Sequence, residues 1–207
     1  ELKEEIARKD RDISNIQLTK LRRQVANQFE QNLLNYLRPL GLLNVRFKID
    51  FDSSSPDSNG ADSIRFMFSA NPGQSLEPLT QVASGGEMSR FLLALKTVLS
   101  NVDGCSTLLF DEIDTGVSGR ISAAIANVLK DLSLNRQVFC VTHQPLVAAV
   151  ADHHFRVVKS VKDGSTHSSV SQLSQLSDRQ RELAELAGGD FEEARAYAAS
   201  LLDHQAA

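Results

Sequence analysis

The chain has 207 residues, a formal net charge of −4 and an apolar fraction of 42%, which suits one domain with an extension and a core of ordinary size. This charge excludes a surface that is basic throughout, though not a local basic patch. No run of about 18 apolar residues is present to span a membrane, the charged opening ELKEEIARKD is not a signal peptide, and the absence of an initiator Met suggests a piece of something longer.

Residues 1–38 read as one helix. Leu2, Ile6, Ile13, Ile16, Leu21, Val25, Phe29, Leu33 and Leu37 recur mostly at spacings of three, four or seven, and no Gly or Pro intervenes before Pro39. At 1.5 Å per residue such a helix is roughly 57 Å long. Its charged N-terminal half fits an arm that pairs with another helix as a coiled coil, and packing on its own domain is the alternative. Lys20, Arg22 and Arg23 either contact nucleic-acid phosphates or form a solvated face. Pro39 and Gly41 end the helix.

Val45, Phe47, Ile49 and Phe51 alternate with polar residues, as do Ile64, Phe66 and Phe68, the period of half-buried strands. The segment SSSPDSNGADS between them reads as a long connecting loop of a β-hairpin. A helix is expected from Ser84 to about Ser100, an apolar strand over 107–110, a helix over 118–133 and a second apolar strand over 138–142. Two short apolar strands flanking a helix imply a βαβ unit in a parallel sheet. Pro145 suits the first turn of a further helix. Residues 154–161 and 166–173 read as a hairpin turning at Asp163-Gly164, and two helices end the chain, separated by Gly188-Gly189. Ser177 with Gln180, and Asp190 with Glu193, have capping-box spacing. Cys105 and Cys140 lie in or beside apolar segments, where cysteines behave as small hydrophobes. A reducing, cytoplasmic setting without a disulfide is expected.

Four constellations carry chemistry. Ser84-Gly85-Gly86-Glu87 opens a helix. Ser84 and Glu87 have capping-box spacing, but glycines there weaken the helix and make sense where a phosphate must approach bare N–H groups. Thr107–Phe110 runs into Asp111-Glu112, two carboxylates at the strand end where open α/β sheets bind ligands. One could hold Mg²⁺, usually through water, and the other could orient or deprotonate an attacking water. An acidic helix cap is the bland reading. Val138–Thr142 ends in His143, whose imidazole could bond a phosphate oxygen or that water, although a lone His after a strand is often incidental. Asp114-Thr115-Gly116-Val117-Ser118-Gly119 is a glycine loop at the same edge. His153 and His154 are adjacent, so they do not share a face, and no partners stand at zinc spacing.

The order is more informative than any one motif. Asp111 follows Ser84 by 27 residues and His143 follows Asp111 by 32, which looks like the signature, Walker B, D-loop and switch histidine of an ABC-type ATPase. VASGGEMSR at 82–90, FDEIDTGVSGR at 110–120, VTHQPLVAAVADHHF at 141–155 and RELAELAGG at 181–189 resemble the RecN family, SMC-like ATPases of bacterial DNA double-strand break repair. Met88 departs from the Leu expected there. The resemblance implies an α/β fold: the C-terminal lobe of an ABC/SMC-type head, with a parallel sheet, β-hairpins and a long protruding coiled-coil helix. The arm would cover 1–38 and the lobe 39–207.

By the same resemblance, Ser84, Gly85, Gly86 and Glu87 would meet the γ-phosphate of an ATP held by an opposing head. Asp111 would support Mg²⁺, Glu112 would be the catalytic base, Asp114 would belong to the D-loop across the dimer interface, and His143 would be the switch histidine. Arg90 would bridge heads or form a surface salt bridge. No G-x-x-x-x-G-K-[ST] occurs, so the phosphate-cradling loop is expected in an N-terminal lobe of the same protein. The implied partners are that lobe, a second head in a homodimer, and DNA at the nucleoid, with no membrane. The implied cofactors are ATP and Mg²⁺, and the piece alone is expected to be inactive. The alternatives are a head piece of another SMC-like chromosome-maintenance ATPase, a non-enzymatic DNA-binding or structural module and, more weakly, a transporter ABC domain.

Overall fold

The computed structural model describes residues 1–81, 85–100, 102, 104–162, 164–189 and 191–203. The chain divides into two compact units, Glu1–Asp103 and Gly104–Ala207. No helix among the described residues is long and apolar enough to cross a membrane.

The first unit begins with α1 (Leu2–Leu37). Leu2, Ile6, Ile13 and Ile16 are exposed, whereas Ala26, Leu33 and Leu37 are buried. The helix thus divides along its length: residues 1–14 are all exposed, and the C-terminal half belongs to the core. At the helix end Leu42 N–H donates to Leu37 O, and Gly41 takes φ +88°, a conformation suited to glycine. An antiparallel sheet follows, β1 (Arg46–Asp57), β2 (Gly60–Ser69) and the short β3 (Glu77–Pro78), in the order β1-β2-β3. The helix α2 (Gly85–Val98) completes the unit.

Aromatic rings join these layers. Phe29 of α1 lies 6.4 Å from both Phe47 and Phe66, centroid to centroid. Phe91 of α2 meets Phe47 at 5.6 Å and Phe68 at 5.4 Å. Phe91 and Leu93 have no exposed surface.

The long loop expected between β1 and β2 is instead strand on both sides of a two-residue turn, with Asp57 paired to Gly60. The physical reason is local. Asn59 N–H donates to Asp57 Oδ1 at 2.6 Å, Gly60 takes φ +115°, and a shift in register between Ser53 and Asp57 accommodates Pro56. The hairpin end is also tied to α1. Thr19 Oγ1 lies 2.8 and 2.9 Å from the two Asp62 carboxylate oxygens. Arg22 donates to Asp62 at 3.0 Å and to Asn59 O at 2.6 Å. Arg23 stands over the Phe51 ring at 5.1 Å. Two of the three cations considered for nucleic-acid contact are therefore engaged inside the chain.

In the second unit β4 (Thr107–Asp111) and β5 (Gln137–Val141) pair in parallel, joined by α3 (Arg120–Ser133). This is the expected βαβ unit. Ser122, Ile125, Ala126, Leu129 and Leu132 form the buried face of α3, at the spacing of one helical face. The short α4 (Pro145–Ala149) starts on its proline. A hairpin of β6 (Phe155–Lys162) and β7 (Ser165–Gln172) precedes α5 (Leu176–Leu186) and α6 (Glu192–Asp203). Ala148, Ala149, Leu183, Ala184, Ala194 and Ala198 form a small-residue core between α4, α5 and α6. Of the two capping expectations, one is overturned and the other falls outside the described residues. Ser177 lies inside α5, which starts after Gln175 with no side-chain cap, so it does not cap the helix. Asp190 and Asp163 lie outside the described residues.

Candidate functional site

The parallel register decides which side chains share an edge. Thr107 pairs with Gln137 and Asp111 with Val141, so both strands end level. Asp111, at the last position of β4, is exposed. Glu112 follows at φ +52°, alone among the described non-glycine residues in taking a positive φ. Such a conformation stores about 1–3 kcal/mol of strain and tends to occur at functional sites. Gly116 at +72° and Gly119 at +54° bend the chain around this edge before α3 begins. On the neighbouring strand, Thr142 and His143 directly follow β5. The carboxylate pair, the glycine loop and the imidazole thus lie at one carboxyl edge, where parallel sheets take ligands.

Asp114 is held differently from its neighbours. Its side chain is wholly buried, and one carboxylate oxygen accepts a hydrogen bond from the Thr142 hydroxyl. The other, Oδ1, is buried without a hydrogen-bond partner and lies 3.8 Å from Nδ1 of His143, whose side chain is 65% exposed. Gln144 closes the group. Its backbone N–H donates to Thr142 Oγ1 at 3.0 Å, and its side-chain amide donates to Val117 O at 3.2 Å while standing 3.4 Å from His143 Nε2. Thr142 and Gln144 escaped the sequence reading, which singled out only the histidine between them. Their adjacency to a strand end was visible, but their proximity to Asp114 follows from register alone. On β5, burial pushes the Cys140 thiol up to about 12, and the Asp114 and Asp111 carboxylates push it the same way.

In the first unit, Gly85 opens α2, with Gly86 and Glu87 in its first turn. Ser84 lies outside the described residues. A Cβ built on Gly85 would meet nothing within 4 Å, so no internal packing among the described residues demands glycine there. Arg90, expected at the surface, is only 8% exposed. It lies on the inward face of α2 beside Phe91, and Glu87 is close enough to stabilise its charge against the cost of burial. No group of three or more His, Cys, Asp or Glu that could hold a metal occurs among the described residues.

The chain is an α/β protein of the class described as "AAA domain, putative AbiEii toxin, Type IV TA system", a family to which it belongs and whose match covers residues 8–149. Within that class its sequence is similar to the RecN proteins. It is 47% identical over 207 residues to DNA repair protein RecN of Synechocystis sp., covering 92% of this chain and 35% of that protein. It is 37% identical over 190 residues to DNA repair protein RecN of Halalkalibacterium halodurans, covering 89% and 34%. The chain spans about a third of the length of these relatives. Among solved structures it resembles the Smc head domain with a coiled coil and joint from Pyrococcus yayanosii, with a TM-score of 0.57 and 22% identity over 81% of this chain and 30% of that one. The family likeness read from the motifs is thereby shown, and the fold is that of an Smc-type head.

Proposed function

We propose that this chain is the C-terminal head lobe of a RecN-like ATPase that acts in DNA double-strand break repair. It hydrolyses ATP at a head–head interface after joining an N-terminal lobe that carries the Walker A loop. The observation that carries this reading is the shared carboxyl edge: Asp111, Glu112 and His143 stand at the level ends of two paired parallel strands. The RecN likeness supports the cellular task, and the absence of G-x-x-x-x-G-K-[ST] from the sequence supports the need for a second lobe. On this reading residues 1–38 form the returning coiled-coil arm, and the protein works in the cytoplasm at the nucleoid.

Each residue then has a chemical task. Glu112, exposed at the rim, takes the proton of the attacking water. His143 presents its ring to that water or to the γ-phosphate. Gly85, Gly86 and Glu87 in the first turn of α2, with Ser84 before them in sequence, meet the γ-phosphate of an ATP held by the opposing head, where bare helix N–H groups favour an anion. Mg²⁺, when bound, neutralises phosphate charge. The donor set fits such an ion, because Mg²⁺ accepts one or two carboxylates and completes its shell with phosphate oxygens and water. Asp111, at the last position of β4, would be the carboxylate that holds it.

Glu112→Gln in the full-length protein tests the assignment. ATP-driven association of heads should persist while turnover falls by about 10²–10⁴-fold, the usual contribution of a general base. Turnover at the wild-type rate would remove Glu112 from that role.

A further inference from the structure

We propose that Asp114, Thr142 and Gln144 are positioning residues that set the ring of His143, holding the proton on Nδ1 and leaving Nε2 as the atom turned to the reaction. This deepens the ATPase reading, and its kinetic arm rests on it. The argument starts from Gln144. Val117 O can only accept a hydrogen bond, so the Gln144 side-chain atom 3.2 Å away is the amide nitrogen. That nitrogen has a second hydrogen, and His143 Nε2 lies 3.4 Å from it. A donor on that side makes Nε2 an acceptor, and in a neutral imidazole the proton is then on Nδ1.

Asp114 supplies the complementary half. Its Oδ1 is buried and lacks a hydrogen-bond partner, a costly condition for a carboxylate oxygen. The Thr142 hydroxyl occupies the other oxygen and fixes the carboxylate plane, while Gln144 N–H donates to Thr142 Oγ1 and fixes that hydroxyl. The remaining lone pairs face His143 Nδ1 at 3.8 Å. That separation exceeds a hydrogen bond, but catalytic contacts are often long before substrate binds and tighten in the complex. A buried acceptor behind an imidazole selects its tautomer and orientation, as second-shell carboxylates do elsewhere. Asp114 therefore acts through His143 and needs no contact of its own with nucleotide or with an opposing head.

The full-length protein and its Asp114→Asn, Thr142→Val and Thr142→Ser variants test this, using histidine-labelled ¹⁵N spectra with the His143 signals assigned by loss in His143→Gln. Wild type should show Nδ1–H on His143. Asp114→Asn, whose amide can donate to Nδ1, should move the ring toward the Nε2–H form and lower kcat at least about tenfold, less than the full, roughly 10²–10⁴-fold contribution of a positioned proton-transfer group because the ring is misoriented rather than removed, with KM for ATP changed less than about twofold as expected when ground-state binding is spared. Thr142→Val should follow in the same direction, and Thr142→Ser should restore kcat. In a His143→Ala background Asp114→Asn should have no further effect. Should Asp114→Asn fold poorly, the Thr142 pair and the wild-type spectrum decide the matter. An Nε2–H ring in wild type, an unchanged tautomer and kcat in Asp114→Asn, or a loss confined to ATP-driven association would each overturn the proposal. A wild-type protein that showed Nδ1–H but no ATPase activity would defeat the functional reading and leave the ring assignment standing.

Discussion

Cys140 shows how strongly one position feels its surroundings. Burial raises its thiol pKa first, and the carboxylates of Asp114 and Asp111 add to the rise, to about 12. The thiolate is the reactive form, so at pH 8 Cys140 is almost entirely protonated. Cys105 is exposed. Brief treatment of the folded chain with iodoacetamide at pH 8 should therefore label Cys105 and spare Cys140, and both should react in denaturant. Equal labelling of the two in the native chain, read by peptide mass spectrometry, would contradict the burial of the Cys140 thiol. The same residue scale shows why the site was only partly legible beforehand. Asp111, Glu112 and His143 each end an apolar run, a visible signal. The Asp114–Thr142 bond joins positions 28 apart, and only the pairing of β4 with β5 brings them together.

At the scale of elements, periodicity carried most of the reading. β1, β2 and the βαβ unit follow from spacing two or from apolar runs, the second hairpin from the turn at 163–164, and α1 and α3 from helical spacing, whereas the two-residue β3 carries no such signal. The β1–β2 connection did not, because Ser, Pro, Asp and Gly together look like loop while the tertiary tie to α1 makes them strand. Asp62 is central to that tie. Its carboxylate is 6% exposed. Burial by itself would raise its pKa, but hydrogen bonds from Thr19 and Arg22 and the charges of Arg22 and Arg23 outweigh this and hold it below the ordinary 3.8. A depressed folded pKa means that the unfolded chain binds the proton more readily. The stabilisation is thus present above pH 3.8 and is lost as pH falls through the lower folded value. Asp62→Asn should cost about 1–3 kcal/mol near neutral pH, as expected for a charged hydrogen bond with one partner partly exposed. The difference from wild type in denaturant midpoint should shrink below pH 3.8. A difference that stayed constant down to pH 3 would show that the Asp62 charge contributes nothing.

At the scale of the whole molecule, the second unit leaves a parallel sheet half covered. Leu108 and Phe110 turn inward, while Leu109 on β4 and Phe139 and Val141 on β5 are exposed, at 70%, 46% and 58%. Register places Leu109 beside Phe139 and Asp111 beside Val141, so three apolar side chains share the open face. Parallel sheets are almost always covered on both faces, and a chain that spans about a third of its relatives leaves ample length to supply the missing layer. If a further lobe of the same protein provides it, one pair of substitutions has opposite effects in two contexts. In the 207-residue chain, Leu109→Thr with Val141→Thr should reduce binding of an apolar dye and reduce self-association in sedimentation, because exposed apolar surface drives both. In the full-length protein the same pair should lower stability by about 2–4 kcal/mol, since each change there puts an unpaired hydroxyl in place of packed methyl groups. Loss of stability in neither context would mean that this face is solvent in the complete molecule, and the two-lobe head would have to be given up.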